Sequence, residues 1–187
     1  MKRFFDIFFS FTLILLLFIP ALLISVIIKF TSKGPVIHLS VRVGKCNNLF
    51  IMPKFRTMNI DAPSNVPTNS FKNVDKYIFP FGKFLRKTSL DELPQLISVL
   101  KGQMSFVGPR PSLPSQHKLN QLRNLKSISS LVPGITGWAQ INGRDKISIK
   151  KKVELETEYK NQKSFKFDII IIFLTIKAIF SRKNISH

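Results

Sequence analysis

The sequence predicts an α+β fold that is mainly helical, with an apolar N-terminal helix followed by a small β-hairpin and further helices. Three patterns carry this prediction. Residues 7–28 are almost wholly apolar. Apolar side chains alternate with polar or small ones over residues 37–43, and a turn separates this strand from a partner at 49–55. From residue 91 onward the spacing of apolar residues is typical of helices.

The apolar N-terminal segment is long enough to enter a bilayer. As a helix, residues 7–28 would measure about 33 Å, which matches the hydrocarbon core of a membrane. Basic residues stand on both sides of the segment, so the positive-inside rule gives it no clear orientation. A break at Pro20 would make the helix re-entrant, with both ends on one face, and a plain spanning helix is the alternative. We divide the chain into a membrane helix, residues 1–30, and one domain, residues 31–187.

The charge balance points to a polyanionic partner. The 187 residues include 29 Lys and Arg against 10 Asp and Glu, which gives a formal net charge of +19. Nucleic acid, anionic lipid headgroups and phosphorylated substrates are the classes that such a charge favours. The basic residues are spread along the chain and the aromatic ones cluster in its apolar terminal segments, which argues against a nucleic-acid binder. The single cysteine rules out an internal disulfide.

An adjacent acid pair, Asp91–Glu92, is the leading candidate for chemistry. We expect a helix to begin close before Pro94, with Asp91 as its N-cap, because proline is tolerated only in the first turn. Acids at this place often do no more than cap free N–H groups. The same helix end also suits anions, and an Asp there could attack phosphorus with the help of a divalent cation.

Several cations accompany the acid pair and are candidates for holding phosphate. Arginine is suited to this role because it makes bidentate contacts to phosphate, although each of these residues could equally be a solvated surface charge. The candidates are Lys54 and Arg56 at the end of the second strand, Arg86, Arg110 between two prolines, and Arg144.

Four other segments have a recognisable character. Residues 61–73 are rich in Pro, Ser and Asn and predict a mobile loop, and residues 112–130 predict a polar helix after Pro114. Residues 132–144 combine three glycines with the only Trp, as either a turn lining a site or a structural turn. Residues 165–180 are dense in Ile and Phe, which indicates a helix at the membrane interface or an ordinary core helix.

These motifs, in this order, resemble the bacterial sugar transferase family, the monotopic polyprenyl-phosphate phosphoglycosyl transferases. The resemblance spans nearly the whole chain. The members of the family that the chain resembles are the minimal, single-domain ones. Its most specific parts are SLDELPQL, SFVGPRP and GITGWAQINGR. The other matching segments are KRFFDI, TSKGP, KFRTM and SFKFDIIIIFLT. The family's fold implies a re-entrant helix broken at Pro20 and a cytosolic, mainly helical catalytic domain.

The resemblance also implies a reaction. A sugar-1-phosphate would pass from a UDP-sugar to undecaprenyl phosphate with release of UMP, on the cytoplasmic face of the bacterial inner membrane. Asp91 would carry a covalent phosphosugar and bind Mg²⁺, and Glu92 would act as base or support. The remaining roles implied are phosphate or nucleotide contacts by Arg86, Arg110 and Arg144, a nucleotide border at Pro111, and support from Lys54 and Asp168. Membrane lipids and downstream glycosyltransferases are the other partners implied.

Two positions depart from the family pattern. Ile19-Pro20 stands where members often have Ser-Pro, and Gln103 stands where an Asp is common. Since the acid pair and the arginines are intact, we infer that an acid at position 103 is not essential. The rival functions are a non-catalytic scaffold of polysaccharide assembly and a membrane-tethered nucleic-acid binder. Nothing in the sequence identifies the sugar, the glycan pathway or the oligomeric state.

Overall fold

The computed structural model describes residues 1–63, 74–143 and 147–180 and is mainly helical. The helices are α1 (Lys2–Leu16), α2 (Phe18–Thr31), α3 (Pro80–Thr88), α4 (Gln95–Leu100), α5 (His117–Leu125), α6 (Trp138–Ile141), α7 (Ile149–Gln162) and α8 (Phe165–Phe180). The strands are β1 (Ile37–Val43), β2 (Leu49–Phe55), β3 (Ser105–Val107) and β4 (Gly134–Thr136). The predicted fold class is confirmed at this level. The loop predicted for residues 61–73 lies mostly outside the described residues.

The predicted hairpin is confirmed with the predicted strand bounds. β1 and β2 pair antiparallel, with Ile37 opposite Phe55 and Val43 opposite Leu49. Because side chains alternate between the two faces of a strand, one face carries Ser40, Phe50 and Met52, all buried. This face packs towards the centre of the molecule and directs the end of β2 at the acid pair.

The N-terminal helices are broken, but the predicted break at Pro20 is wrong in position. α1 ends at Leu16, and Leu17 leaves helical geometry with φ −98° and ψ 9°. Pro20 lies in the first turn of α2, where its missing N–H costs nothing. In a continuous helix its ring would clash with the carbonyl of Leu16, four residues earlier. The bend therefore falls one turn before the proline.

Within the described ranges, no single helix combines the length and the hydropathy that a membrane crossing needs. α1 and α2 meet that requirement only as a pair, and they are bent by 60° at the break. The second half of α2 also packs on the rest of the molecule, since Ile24 and Ile28 share a core with Phe55, Phe79 and Leu85. The division at residue 30 stays a prediction.

A second, parallel sheet joins β3 to β4 and requires glycine at the crossing. A Cβ on Gly134 would lie 2.1 Å from the backbone nitrogen of Gly108, and one on Gly108 would lie 2.3 Å from the carbonyl oxygen of Val132. Only glycine permits this approach of two backbones. This close contact between the Gly108 and Gly134 backbones fixes the start of the loop that carries Arg110.

Candidate active site

The acid pair lies in a short 3₁₀ turn and not at the start of a helix. The turn covers Leu90–Glu92, and α4 begins only at Gln95, with Pro94 as its N-cap. The predicted N-cap role of Asp91 is therefore wrong. Ser89, just before the turn, adopts a left-handed conformation with φ 58° that reverses the chain after α3. Such a conformation costs energy in a residue other than glycine and is often found at functional sites.

Glu92 is the centre of an ion-pair network. Its Oε1 accepts hydrogen bonds from Lys54 Nζ at 2.8 Å and from Arg110 Nη2 at 2.9 Å. The Glu92 side chain is 10% exposed and that of Lys54 is 16% exposed. The end of β2 and the loop at residues 108–111 are far apart in sequence. They bring Lys54 and Arg110, both predicted site residues, into contact with Glu92.

The electrostatics of Asp91 reflect its burial among these charges. Asp91 is 9% exposed, and burial raises the pKa of its carboxyl above the ordinary value. The nearby cations Lys54, Arg110 and Arg86 act in the opposite direction and lower that pKa, while the charge of Glu92 raises it further. Burial also lowers the pKa of Lys54. Arg86 lies close enough to Asp91 for the two charges to interact. The Arg86 Nε donates to Thr57 Oγ1 at 2.9 Å.

Arg42 belongs to the same group of charges, and our sequence analysis did not single it out. Its Nε donates to Ser40 Oγ at 3.0 Å and its Nη1 to the carbonyl of Pro111 at 3.4 Å. Burial, together with the charge of Arg110, lowers the pKa of Arg42 to about 10, so it remains protonated at neutral pH. The alternation placed Arg42 on the polar face of β1, because the apolar side chains at 37, 39, 41 and 43 lie on the other face. In the structure the face of Ser40 packs inward, whereas Leu39 and Val41 are 62% and 43% exposed.

We call these residues the acid-pair cluster. Its members are Asp91, Glu92, Arg42, Lys54, Arg86 and Arg110.

A second residue missed by sequence reasoning holds the Arg110 backbone in place. Arg123 Nη2 donates to the carbonyl of Arg110 at 3.0 Å, and the same guanidinium forms a buried two-point ion pair with Glu156. α5 and α7 thereby fix the loop that presents Arg110.

Arg56, predicted to bind substrate, lies elsewhere. Its guanidinium donates to the carbonyl of Pro35 and to the hydroxyl and carbonyl of Ser32, the last two at 2.8 Å. It is also stacked over Phe79, with 5.7 Å from Cζ to the ring centre. These contacts join the end of α2 to β2, which is a structural role.

Asp168 also lies in another group, which we call the N-terminal cluster: Lys2, Arg3, Asp6, Tyr159 and Asp168. Asp168 accepts from Lys2 Nζ at 2.7 Å and from Tyr159 Oη at 2.6 Å. Asp6 accepts from Ser105 Oγ at 3.1 Å and from the backbone N–H of Phe106 at 3.2 Å. The cluster ties the start of α1 to β3 and α8.

The other predicted positions are placed as follows. Pro111 is buried and joins the acid-pair cluster only through its carbonyl. Arg144 lies outside the described residues. Gln103 is exposed in the turn between α4 and β3, where its backbone N–H donates to the Ser98 carbonyl at 3.0 Å. Its exposure agrees with the inference that an acid is not needed there.

The acid-pair cluster suits a hard cation only in part. In the portion of the chain that the structure describes, no three His, Cys, Asp or Glu side chains converge on a metal position. Mg²⁺ is commonly held by one or two carboxylates, with water and substrate phosphates completing its shell. Asp91 offers such a carboxylate, whereas Glu92 is engaged by Lys54 and Arg110. The donor set therefore fits Mg²⁺ that arrives with a phosphorylated substrate.

A cavity of about 300 Å³ adjoins the cluster. Glu92 and Arg110 belong to its wall, together with Ser89 and side chains of α1, α4, α6 and α8. Glu92 is thus reachable from an opening between helices, as a site acting on a bound ligand requires, while its neighbour Asp91 lies behind the cavity wall.

Comparisons with known proteins identify the family of the chain. A family model described as bacterial sugar transferase matches residues 1–182. The UDP-glucose:undecaprenyl-phosphate glucose-1-phosphate transferase of Escherichia coli (strain K12) is 43% identical over 180 residues, which cover 92% of this chain and 39% of the relative. The undecaprenyl-phosphate glucose phosphotransferase of Komagataeibacter xylinus is 40% identical, covering 97% of this chain and 36% of the relative.

A shorter relative matches along most of its length. The uncharacterized sugar transferase EpsL of Bacillus subtilis (strain 168) is 36% identical, covering 100% of this chain and 91% of the relative. The chain spans less than half the length of the Escherichia coli and Komagataeibacter proteins that it matches. Since the family model matches almost from end to end, the chain belongs to the bacterial sugar transferase family.

Proposed function

We propose that this protein transfers a sugar-1-phosphate from a UDP-sugar to undecaprenyl phosphate. The products are UMP and an undecaprenyl-diphosphate-sugar, which downstream glycosyltransferases would extend into a surface glycan. Relatives at 43% and 40% identity carry names that state this type of transfer for glucose. The identity of the sugar is not part of the proposal.

One observation carries the proposal, namely the convergence of four cations on the buried acid pair. Among the described residues, these cations are Arg42, Lys54, Arg86 and Arg110, and the exposed carboxylate of Asp75 also acts on Arg86. Cations brought together in a partly buried site favour the binding of an anion. The diphosphate of a UDP-sugar supplies a matching charge, and the guanidinium groups of Arg42, Arg86 and Arg110 suit phosphate oxygens.

The chemistry follows from the position of Asp91. A carboxylate oxygen of Asp91 bonds to the phosphorus that bears the sugar, and the bond from that phosphorus to the oxygen of UMP breaks. UMP leaves with that electron pair. An oxygen of the lipid phosphate then attacks the same phosphorus and releases the Asp91 carboxylate. Burial away from water protects the aspartyl-phosphosugar from hydrolysis between the two steps.

The neighbouring groups have supporting roles in this scheme. Two ion pairs hold the Glu92 carboxylate in place, which favours support of the site over the role of base. Lys54 and Arg110 would stabilise charge that develops on the transferred phosphoryl group. Mg²⁺ held by Asp91 and the diphosphate would neutralise phosphate charge and assist departure of UMP.

We also propose that α1 and α2 form a re-entrant element and that the remainder lies on the cytoplasmic face of the inner membrane. Two sets of contacts support a common side for both helix ends. At the start of α1, Arg3 donates to the carbonyls of Val99 and Leu100 at 2.6 and 2.7 Å. At the end of α2, Ile28 is fully buried against the core. A spanning helix would have to break one of these contacts.

The surface of α8 supports the same placement. Phe173 and Ile176 are 65% and 48% exposed on a helix whose buried residues include Asp168 and Ile171. Apolar area of this extent on a helix, in a chain with a charge of +19, suits contact with an anionic lipid surface.

The decisive experiment measures UMP release by the purified protein. The protein is given Mg²⁺, undecaprenyl phosphate and each member of a panel of UDP-sugars. We expect UMP with at least one sugar, and we expect Asp91→Asn to release none. UMP release by Asp91→Asn at the wild-type rate would overturn the covalent step. A folded wild-type protein that releases no UMP across the panel would favour the non-catalytic scaffold.

A further inference from the structure

The cavity beside the acid-pair cluster has a wall that is mostly apolar. Its apolar side chains come from α1, α4, α6, α8 and the β3–β4 sheet, and those used below are Leu13, Phe106, Ala178 and Ile179. Arg110 and Glu92 also line it. One space therefore combines a charged group of the site with apolar walls from α1 and α8.

We propose that this cavity binds the phosphate-proximal isoprene units of the lipid acceptor, so that Leu13 and Ala178 help to select a prenyl phosphate. The inference rests on the proposed function and adds a binding site to it. Of the two substrates, only the acceptor joins a phosphate directly to a hydrocarbon chain. A phosphate near Arg110 would place the start of that chain within the cavity. Burial of each methylene favours binding about fourfold, so even a few isoprene units discriminate strongly.

Continuity with exposed apolar surface supports this occupant. Leu13 lies in the last turn of α1, where the side chains of Leu15 and Leu16 are 62% and 69% exposed. Ile179 is 38% exposed at the outer end of α8. A long prenyl chain that fills the cavity would thus leave it across apolar surface and would not have to enter water.

The polar groups of the cavity wall point to an alternative ligand. No hydrogen-bond partner reaches the buried Nε2 and Oε1 of Gln140 within the described part of the chain. Thr136 and Thr175, also in the wall, already bond to each other at 2.7 Å. The hydroxyl groups of a donor sugar would satisfy Gln140, which makes the UDP-sugar the alternative ligand. The apolar majority of the wall favours the lipid.

The test uses a photoreactive probe, farnesyl phosphate with a diazirine on its hydrocarbon chain, and the full chain in lipid nanodiscs. We expect light-dependent labelling of peptides that contain Leu13 or Ala178. Excess undecaprenyl phosphate should compete with the probe more strongly than UDP-glucose, which shares only the phosphate position near Arg110. Ala178→Trp, which fills the cavity, should lower labelling about tenfold or more.

Matched variants separate blocking of the cavity from damage to the fold. Ile176→Trp adds the same ring to α8 at a side chain that is 48% exposed and outside the cavity wall, and it should label normally. Leu13→Trp fills the cavity from α1 and should repeat the effect of Ala178→Trp. If Ala178→Trp is unstable, the Leu13→Trp result decides. Undiminished labelling in a folded variant of either kind would overturn the proposal, as would stronger competition by UDP-glucose than by undecaprenyl phosphate.

A second readout separates this inference from the proposed reaction. Incubated with the UDP-sugar alone, the protein should release UMP in an amount equal to the enzyme. Ala178→Trp should keep this release and raise the KM for undecaprenyl phosphate about tenfold. Loss of the lipid-independent release in Ala178→Trp would assign the cavity to the donor. Normal labelling of a wild-type protein that releases no UMP would contradict the proposed reaction and leave the prenyl site standing.

Discussion

The acid-pair cluster and the N-terminal cluster both join charged side chains around buried carboxylates, but they differ in the ratio of cations to carboxylates. In the N-terminal cluster two cations, Lys2 and Arg3, accompany two carboxylates, Asp6 and Asp168, and each carboxylate accepts two hydrogen bonds. In the acid-pair cluster four cations lie around Asp91 and Glu92, and the exposed Asp75 also acts on Arg86. Cations and carboxylates are equal in number in the first cluster, whereas cations outnumber carboxylates in the second.

This difference separates residues that hold the fold from residues that hold a ligand. A balanced, hydrogen-bonded group stabilises contacts between elements distant in sequence, here α1, β3 and α8. A buried group with excess charge lowers stability until a ligand completes it, which is a common property of active sites. The comparison can be tested by matched substitutions in the two clusters.

The largest contrast is expected between two buried aspartates. Asp91→Asn should lower turnover by about 10³-fold or more, because the amide cannot form the bond to phosphorus. Asp6→Asn should retain turnover per folded molecule, since the amide oxygen still accepts the hydrogen bonds of Ser105 and Phe106. UMP release and thermal unfolding of both variants measure this. Equal losses of turnover would show that the two clusters do not differ in function.

The next effect is on stability and concerns Lys2. Lys2→Met leaves the Asp168 carboxylate, 6% exposed in its side chain, without its cation. We expect the free energy of unfolding to fall by about 2 kcal/mol, less than for a fully buried pair because the Lys2 side chain is 26% exposed. Urea denaturation measures the change. The double variant Lys2→Met, Asp168→Asn should recover part of the lost stability. An increase in the KM for the UDP-sugar without a loss of stability would show that Asp168 belongs to the substrate site.

A smaller effect should distinguish two arginines that lie in or beside the hairpin, Arg42 and Arg56. Arg42→Gln should raise the KM for the UDP-sugar about tenfold, or about 1.4 kcal/mol, and leave the unfolding temperature unchanged or higher, because one of several like charges is removed. Arg56→Gln should do the reverse, lowering the unfolding temperature through lost bonds to Ser32 and Pro35 with little change in KM. An increase of KM for Arg56→Gln alone would support the substrate role predicted from sequence.

The smallest effect concerns pH. Attack requires ionised Asp91, whose pKa is raised by burial, so kcat/KM should fall on acidification at a pH above that of an ordinary aspartate. Arg86→Gln should move this decline to still higher pH, because the charge of Arg86 lowers the pKa of Asp91. Pre-steady-state UMP release from pH 4 to 8 would detect the shift. A shift to lower pH would mean that another group controls the decline.

Asp91 should also affect stability with a defined sign. A raised pKa means that the folded state binds the proton more tightly than the unfolded state, so stability falls as pH rises through that window. Asp91→Asn removes this cost and should unfold at a temperature equal to or above that of the wild type at neutral pH. A marked decrease would show that the ionised carboxylate is stabilised by its cations more than burial penalises it.

Local patterns accounted for much of the fold. Alternation over residues 37–43, with the turn before residues 49–55, predicted both strands of the hairpin with the bounds observed. The alternation did not identify the buried face, since Leu39 and Val41 are exposed and Ser40 is buried. The apolar segment before residue 30 and the dense Ile and Phe of residues 165–180 both became helices. The position of the bend between α1 and α2 was missed, since proline disturbs the turn before it and not its own position.

The candidate active site was likewise predicted only in part. By itself the sequence determined the acid pair, Lys54, Arg86 and Arg110 as candidates, because acids and cations in specific motifs can be read without coordinates. Only the tertiary structure placed Arg42 beside Arg110 and turned Arg56 towards Ser32, although both arginines lie in or beside the same hairpin. The physical reason is that a cation's role depends on which anions and carbonyls surround it, and those neighbours come from elements far away in the chain.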